Sequence, residues 1–404
     1  MHLLRITSIR AILIFAALFI LLLPFPFSLF PDTGTAIRPV SAPVIEAFGK
    51  AVSLLPENYE ARFDSDSRGM YALALFVALL SIISASVWTF IQKQERNEIR
   101  WLRSLSAYYL ALILLIYGFD KVFKHQFYLP EPNTLHTSLG DIRPDLLYWS
   151  TVGSSWSYSF FTGLIEVVAA LLLISKRTRS LGALLAVGVL LHVSLINFGF
   201  DVSVKLFSGF LLLLALLLAY PGVKKIIRLF IFRKEQQPEE SSSLLMQKTG
   251  KRNYYIIKSA ILVLFLTESL YGFVRYAGFN DDTAPRPLLH GVYTVTEQIN
   301  DSGQFVLPFT SNPEVIQRIF VHRKGYLILQ SVTGEMKDYK LVYDTTAHQL
   351  IIRHEQEPVM IWSYSVTGKT LTLTNNDTPA QLKAEVIDWN DMPLIRQKWQ
   401  WFSD

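Results

Sequence analysis

An ionisable side chain inside an apolar helix costs at least about 2.5 kcal/mol in a bilayer, so each one found there carries information about chemistry. Glu166 and His192 are two such residues. Glu166 lies 12 residues past Ser154, which is roughly 18 Å along a helix axis at about 1.5 Å per residue. His192 lies about as deep in the next apolar run, and the five residues 176–180 joining the runs are too few to separate two antiparallel helices. A carboxyl group and an imidazole at one level can pair, relay protons or hydrogen-bond a quinone carbonyl, because burial moves the pKa of both. Copper, zinc and iron need more ligands than these two residues supply. No second histidine lies deep in an apolar run to complete a heme pair. No metal is expected, and no cofactor is required; a quinone is the one that this chemistry admits.

A second polar group falls at the ends of apolar runs: Asp120, Lys121 and Lys124 close one run, while Asn197, Asp201 and Lys205 stand between two others. Asp201 and Lys205 have the i,i+4 spacing of a helical ion pair. The spacing predicts one cluster of Lys121 with Asp201 and Lys205. An anion site is the alternative, since three lysines face two aspartates. In the last apolar run Glu268 and Arg275 are seven residues apart and share a face.

The elements that position these residues are membrane spans. Of 404 residues 51% are apolar and 18% charged, with mean hydropathy +0.30. That excludes a disordered chain and an ordinary nucleic-acid binder. With no cysteine, the chain has no disulfide or thiolate chemistry of its own. A bilayer core takes about 20 apolar residues in a helix, and seven stretches qualify: 11–30, 70–91, 104–122, 154–175, 181–200, 202–220 and 254–276. The first is too long for a signal-peptide core and lacks an A-x-A site, so it is expected as an uncleaved anchor. Segments 1–10, 93–103, 176–180 and 221–253 hold 17 Lys/Arg in 59 residues, against 8 in 80 for loops 32–69, 120–153 and 198–205. The positive-inside rule then predicts a multi-pass protein of the bacterial inner membrane, its N-terminus cytoplasmic and its C-terminal domain periplasmic. Residues 40–55, between Pro39 and Pro56, predict an interfacial helix, and the basic flank 223–232 precedes a solvated stretch, KEQQPEESSS.

After Leu289 the apolar period becomes two. Eight or nine short strands, up to the RQKWQWF segment, alternate with Lys324-Gly325, Thr333-Gly334, Thr367-Gly368 and Asn375-Asn376-Asp377 turns. They predict an all-β antiparallel barrel or sandwich, filled by its own side chains or holding one apolar ligand. The expected domains are 1–103 (two spans and an outer loop), 104–222 (a four-helix bundle), 223–253 (a basic linker), 254–276 (the seventh span) and 285–404 (the β domain).

The stretch from about 104 to 222 resembles the DoxX-like family of small four-helix membrane proteins. The resemblance rests on Tyr117-Gly118-Phe119-Asp120-Lys121, on SYSFFTGLIEVVAALLL with its Gly163-x-x-Glu166, on Lys176-Arg177-Thr178-Arg179, and on Asn197-Phe198-Gly199-Phe200-Asp201-Val202-Ser203-Val204-Lys205. It implies a role in membrane redox work beside a membrane or periplasmic redox partner, and singles out Gly118, Lys121, Gly163, Glu166, Asp201 and Lys205. It transfers no catalytic set. The residues admit three functions: a quinone-linked redox subunit, a non-enzymatic scaffold whose β domain binds a protein or lipid, and, with no inverted repeat to favour it, a transporter.

Overall fold

The computed structural model describes residues 2–59, 62–92, 97–230, 244–306, 315–354 and 359–396. KEQQPEESSS, most of RQKWQWF, Trp399 and Trp401 lie outside the described residues. The chain divides into a helical unit (1–126 and 157–279) and a second unit (127–156 and 280–404).

The helical unit holds α1 (His2–Leu22), α2 (Thr33–Ala51), α3 (Arg68–Ile91) and α4 (Asn97–Val122), then α7 (Trp156–Ile174), α8 (Arg179–Gly199), α9 (Lys205–Phe230) and α10 (Leu244–Arg275). The intervening α5 (Pro132–Leu135) and α6 (Pro144–Ser154) belong to the second unit. Among the described residues, seven helices are long and apolar enough to cross a bilayer: Leu3–Leu22, Arg68–Ile91, Ile99–Val122, Trp156–Ile174, Arg179–Gly199, Lys205–Ile227 and Arg252–Arg275. Ile83, Phe90, Leu195 and Val263 face outward along them, while Ala107, Ala111, Ala169, Ala170, Ala183 and Ala186 share the interior with Leu110, Ile113, Leu114 and Leu115. Large apolar side chains on the outer surface suit a lipid surround, and the buried alanines let helices approach closely.

Two boundaries differ from expectation. The first helix stops at Leu22 rather than near residue 30, because Pro24 disfavours helical backbone before it and Pro26 removes another donor. Residues 23–30 become a loop. The interfacial helix begins at Thr33, capped by Asp32, and runs through both Pro39 and Pro43.

In the second unit eight strands close a barrel: β1 (Gly291–Ile299), β3 (Ile316–His322), β4 (Tyr326–Ser331), β5 (Met336–Asp344), β6 (Gln349–Arg353), β7 (Met360–Thr367), β8 (Thr370–Asn375) and β9 (Gln381–Ile387), each antiparallel to the next, with β9 paired back to β1. The short β2 (Phe305–Val306) adds to the far half of β1. Gly325 and Gly368 take φ of +74° and +64° at hairpin turns, where a side chain would be strained. Tyr293, Ile319, Leu327, Leu341, Leu350, Leu371, Leu373 and Leu382 pack into one core, so the barrel is filled by its own side chains. That fits eight strands, whose interior is just wide enough for packing.

The expected bundle 104–222 is therefore interrupted. Residues 127–156 fold with the barrel, where α5 packs on β1 and β3.

Candidate functional site

A cavity of about 800 Å³ opens among the helix ends of the helical unit. Its walls come from the loop after α1 (Leu23, Pro24, Phe25), the segment before α3 (Phe63, Asp64), the end of α4 (Tyr117, Asp120), the start of α9 (Val204, Phe207) and the end of α10 (Glu268, Ser269, Gly272, Phe273). In an alternating helix topology the C-terminal ends of α1, α4 and α10 and the N-terminal ends of α3 and α9 share one face. Most of the wall is aromatic or aliphatic. Phe25 packs against Tyr117 and Phe207, with ring centroids 6.3 and 5.9 Å apart.

Proline chemistry shapes this site. The backbone N–H groups of Ser28, Leu29 and Phe30 follow two prolines and have left the helix. Glu268 accepts all three, at 2.5, 2.8 and 3.0 Å. A buried carboxylate that receives three donors has its lone pairs used by the backbone. Arg275, expected on the same face, instead donates to the Tyr271 hydroxyl at 3.0 Å. Ser269 is different: its hydroxyl is buried at the cavity wall and has no hydrogen-bond partner among the described residues. Asp32 receives the Thr35 N–H at 2.9 Å and the Thr35 hydroxyl at 2.6 Å. Burial pushes its carboxyl up, but those bonds and the charge of Arg38 outweigh that and hold it below the usual range. Asp120 lies 3.6 Å from the His125 ring nitrogen.

The sequence-predicted residues fall into two sets. Lys121 donates to Glu166 at 2.9 Å, and both are buried. The α4–α7 crossing that makes this possible is built on glycine: a Cβ on Gly163 would stand 2.5 Å from the Gly118 carbonyl oxygen, and one on Gly118 would meet Val167 at 2.8 Å. The Ser159 hydroxyl donates to the Lys121 carbonyl at 2.9 Å. Gly118, Lys121, Gly163 and Glu166 thus form one constellation, and Tyr117, whose ring lies 5.5 Å from the Lys121 ammonium, joins it to the cavity wall. His192 is not in it. It lies on the exposed face of α8, and the partner that Glu166 meets is Lys121. Helix rotation, which a spacing argument does not fix, makes the difference.

Lys205 bonds Asp201 at 2.7 Å and lies 3.9 Å from Asp66, whose carboxylate also accepts the N–H groups of Lys205 and Leu206 at 2.9 Å each. The single cluster expected of Lys121, Asp201 and Lys205 is divided: each lysine is committed to different carboxylates. Asp66 had not been expected there; it caps α9 from a distant loop, where the first helical N–H groups need acceptors. The hydrogen bond from Lys205 holds the exposed Asp201 carboxyl below its usual range. Asn197 is buried, and its side-chain nitrogen has no partner among the described residues.

Sequence reasoning also missed a buried ionic network in the second unit. Glu131, capping α5, lies 2.9 Å from the His290 ring and 3.2 Å from the Arg323 guanidinium. Arg323 also bonds Asp281 and stacks 3.6 Å from the centre of the Tyr128 ring. Burial pushes the Glu131 carboxyl up, but the hydrogen bond from His290 and the charges of His322, His290 and Arg323 prevail and hold it below 4.5. No single segment carries a signal for this network, because its members lie some 190 residues apart in the chain.

Compared with known proteins, the chain is 30% identical over 136 residues to "Uncharacterized protein YwoB" of Bacillus subtilis (strain 168), covering 31% of this chain and 79% of that protein. No family model matches the chain, and no solved structure does.

Proposed function

We propose that this chain, which belongs to one family with the YwoB protein of Bacillus subtilis, is a DoxX-like subunit of a membrane redox complex that holds a quinone-class amphiphile in the cavity of its helical unit. The cavity is the observation that carries this reading. Its volume of about 800 Å³ is within the roughly 300–1,000 Å³ of small-molecule sites, and its wall pairs aromatic rings with one unsatisfied buried donor, the Ser269 hydroxyl. A quinone needs that combination: apolar contact for the ring and a hydrogen bond for a carbonyl oxygen. Asp120 and His125 at the wall offer groups that exchange protons when a quinone is reduced or its quinol oxidised. A membrane or periplasmic redox partner supplies the electrons in this reading. In this reading the N-terminus is cytoplasmic and the β unit periplasmic in a bacterial inner membrane; an enzymatic reporter fused at the C-terminus and active in the cytoplasm overturns that topology.

Gly272 gives a clean test. It lines the cavity, and a Cβ there meets nothing within 4 Å, so Gly272→Leu starts its side chain in open space at the cavity wall and favours helix over glycine. The full chain purified in mild detergent should carry extractable quinone, and Gly272→Leu should lose it while melting at the same temperature or higher. Wild-type protein free of quinone, and indifferent to an added short-chain quinone, defeats the proposal. The scaffold reading has its own support in the filled barrel, which leaves the outer face for recognition. Partner capture that survives Gly272→Leu and is lost on substitution of barrel surface residues would favour it.

A further inference from the structure

A different end of the helical unit gathers cations that have no carboxylate partner among the described residues. Lys258 of α10 and Arg179 at the start of α8 lie over the same Tyr108 ring, 4.6 and 5.7 Å from its centre. Lys258 donates to the Tyr108 hydroxyl at 2.5 Å and to the Ile174 carbonyl, and Arg179 donates to the Leu173 carbonyl at 3.2 Å. Lys176, in the link between α7 and α8, lies within electrostatic reach of both, and Arg100 of α4 within reach of Lys176. Lys176, Arg179 and Lys258 have no carboxylate partner among the described residues. The carbonyls at the end of α7 fix the positions of two of these cations while leaving their charge unneutralised.

Holding three like charges together at the margin of a span is costly unless an anion joins them. We propose that Lys176, Arg179 and Lys258 form a binding site for a phosphate anion, supplied by the headgroup of an anionic phospholipid or by free phosphate. The Tyr108 ring and the two carbonyls hold Arg179 and Lys258 beside one another, and basic pockets between spans are where acidic headgroups bind. This site is independent of the cavity.

The test is a melting titration of the full-length protein in neutral detergent, with phosphatidylglycerol, phosphatidylcholine or inorganic phosphate added. Phosphatidylglycerol should raise the melting temperature and phosphatidylcholine should not. Each lysine or arginine near a membrane surface contributes about 1 kcal/mol to anionic lipid binding, roughly fivefold in affinity. Lys176→Gln, placed in a link rather than a span, should therefore raise the half-stabilising lipid concentration roughly fivefold. Lys258→Met should raise it at least as much. An equal response to inorganic phosphate, weakened by the same two substitutions, assigns the site to free phosphate. Equal stabilisation by phosphatidylcholine, or titrations unchanged in Lys176→Gln, overturn the proposal even if Lys258→Met fails to fold.

Discussion

Each unit of this protein buries a glutamate, and the two are accommodated in contrasting ways. Glu166 in the helical unit meets the ammonium of Lys121 at 2.9 Å across a glycine-lined helix crossing. Glu131 in the second unit meets two partners, one of them a histidine, and Arg323 in turn reaches Asp281 and the face of Tyr128. In the membrane interior a lost partner has no water to replace it. In the barrel unit the network has further members that stay in place when one is lost. One arrangement is strong and brittle; the other is distributed and sensitive to pH.

The largest effect expected from this contrast is at the helix crossing. Glu166→Ala strands the Lys121 ammonium and should cost about 3–5 kcal/mol, the penalty of breaking a buried pair. The double variant Lys121→Met/Glu166→Leu should recover most of that loss, because it removes both charges and keeps the volume. Thermal unfolding in detergent measures both. A single variant as stable as wild type would mean that the pair is dispensable to the crossing.

Glu131→Ala should cost less, about 1.5–3 kcal/mol, the range of hydrogen bonds to charged groups. Arg323 retains Asp281 and Tyr128. A loss matching that of Glu166→Ala in the same melting assay would erase the distinction between the two units.

Acidification sharpens the contrast further. His322 and His136 are held below their ordinary 6.5 by burial; beyond that, Arg323, Lys324 and His290 add repulsion at His322, partly offset by Glu131, and Arg318 adds it at His136. Each favours folding when neutral, so its contribution is complete above pH 6.5 and disappears as pH falls through the lowered value. Glu131, also lowered, contributes fully above 4.5 and loses that contribution at still lower pH. Stability of the barrel unit should thus decline in two steps, and His322→Gln should diminish the first. Hydrogen exchange of barrel amides from about pH 7 to about pH 2 follows both. Protection that is flat over that range would contradict the assignment.

The contrast also explains what the sequence revealed. Seven spans and an alternating β meander are legible because lipid exposure and strand pleating impose periods on consecutive residues. The Gly118–Lys121 and Gly163–Glu166 pieces could be singled out as motifs, but not as partners, since helix rotation decides whether they meet; the same rotation left open which face of its helix His192 takes. Glu131, Asp66 and Ser269 were invisible. Their roles depend on neighbours distant in sequence, and no period marks a residue that acts alone at a loop or cap.

The smallest expected effects lie at the start of α9, where Asp66 and Asp201 both approach Lys205. Asp66 accepts two otherwise unpaired helix N–H groups from the far side of the chain, so Asp66→Ala should cost about 1 kcal/mol, as loss of a helix cap does. Asp201 makes the shorter ion pair, 2.7 Å against 3.9 Å, yet its side chain is 84% exposed. Water and salt screen such a pair, so Asp201→Asn should leave the melting temperature unchanged, and its φ of +53° is one that asparagine readily adopts. If Asp201→Asn destabilised the protein more than Asp66→Ala, the ion pair rather than the backbone cap would be what holds α9 in place. The expected order follows because an unsatisfied N–H at a helix end has no substitute partner in an apolar setting, whereas Lys205 keeps Asp66 at 3.9 Å when the exposed Asp201 carboxylate is lost.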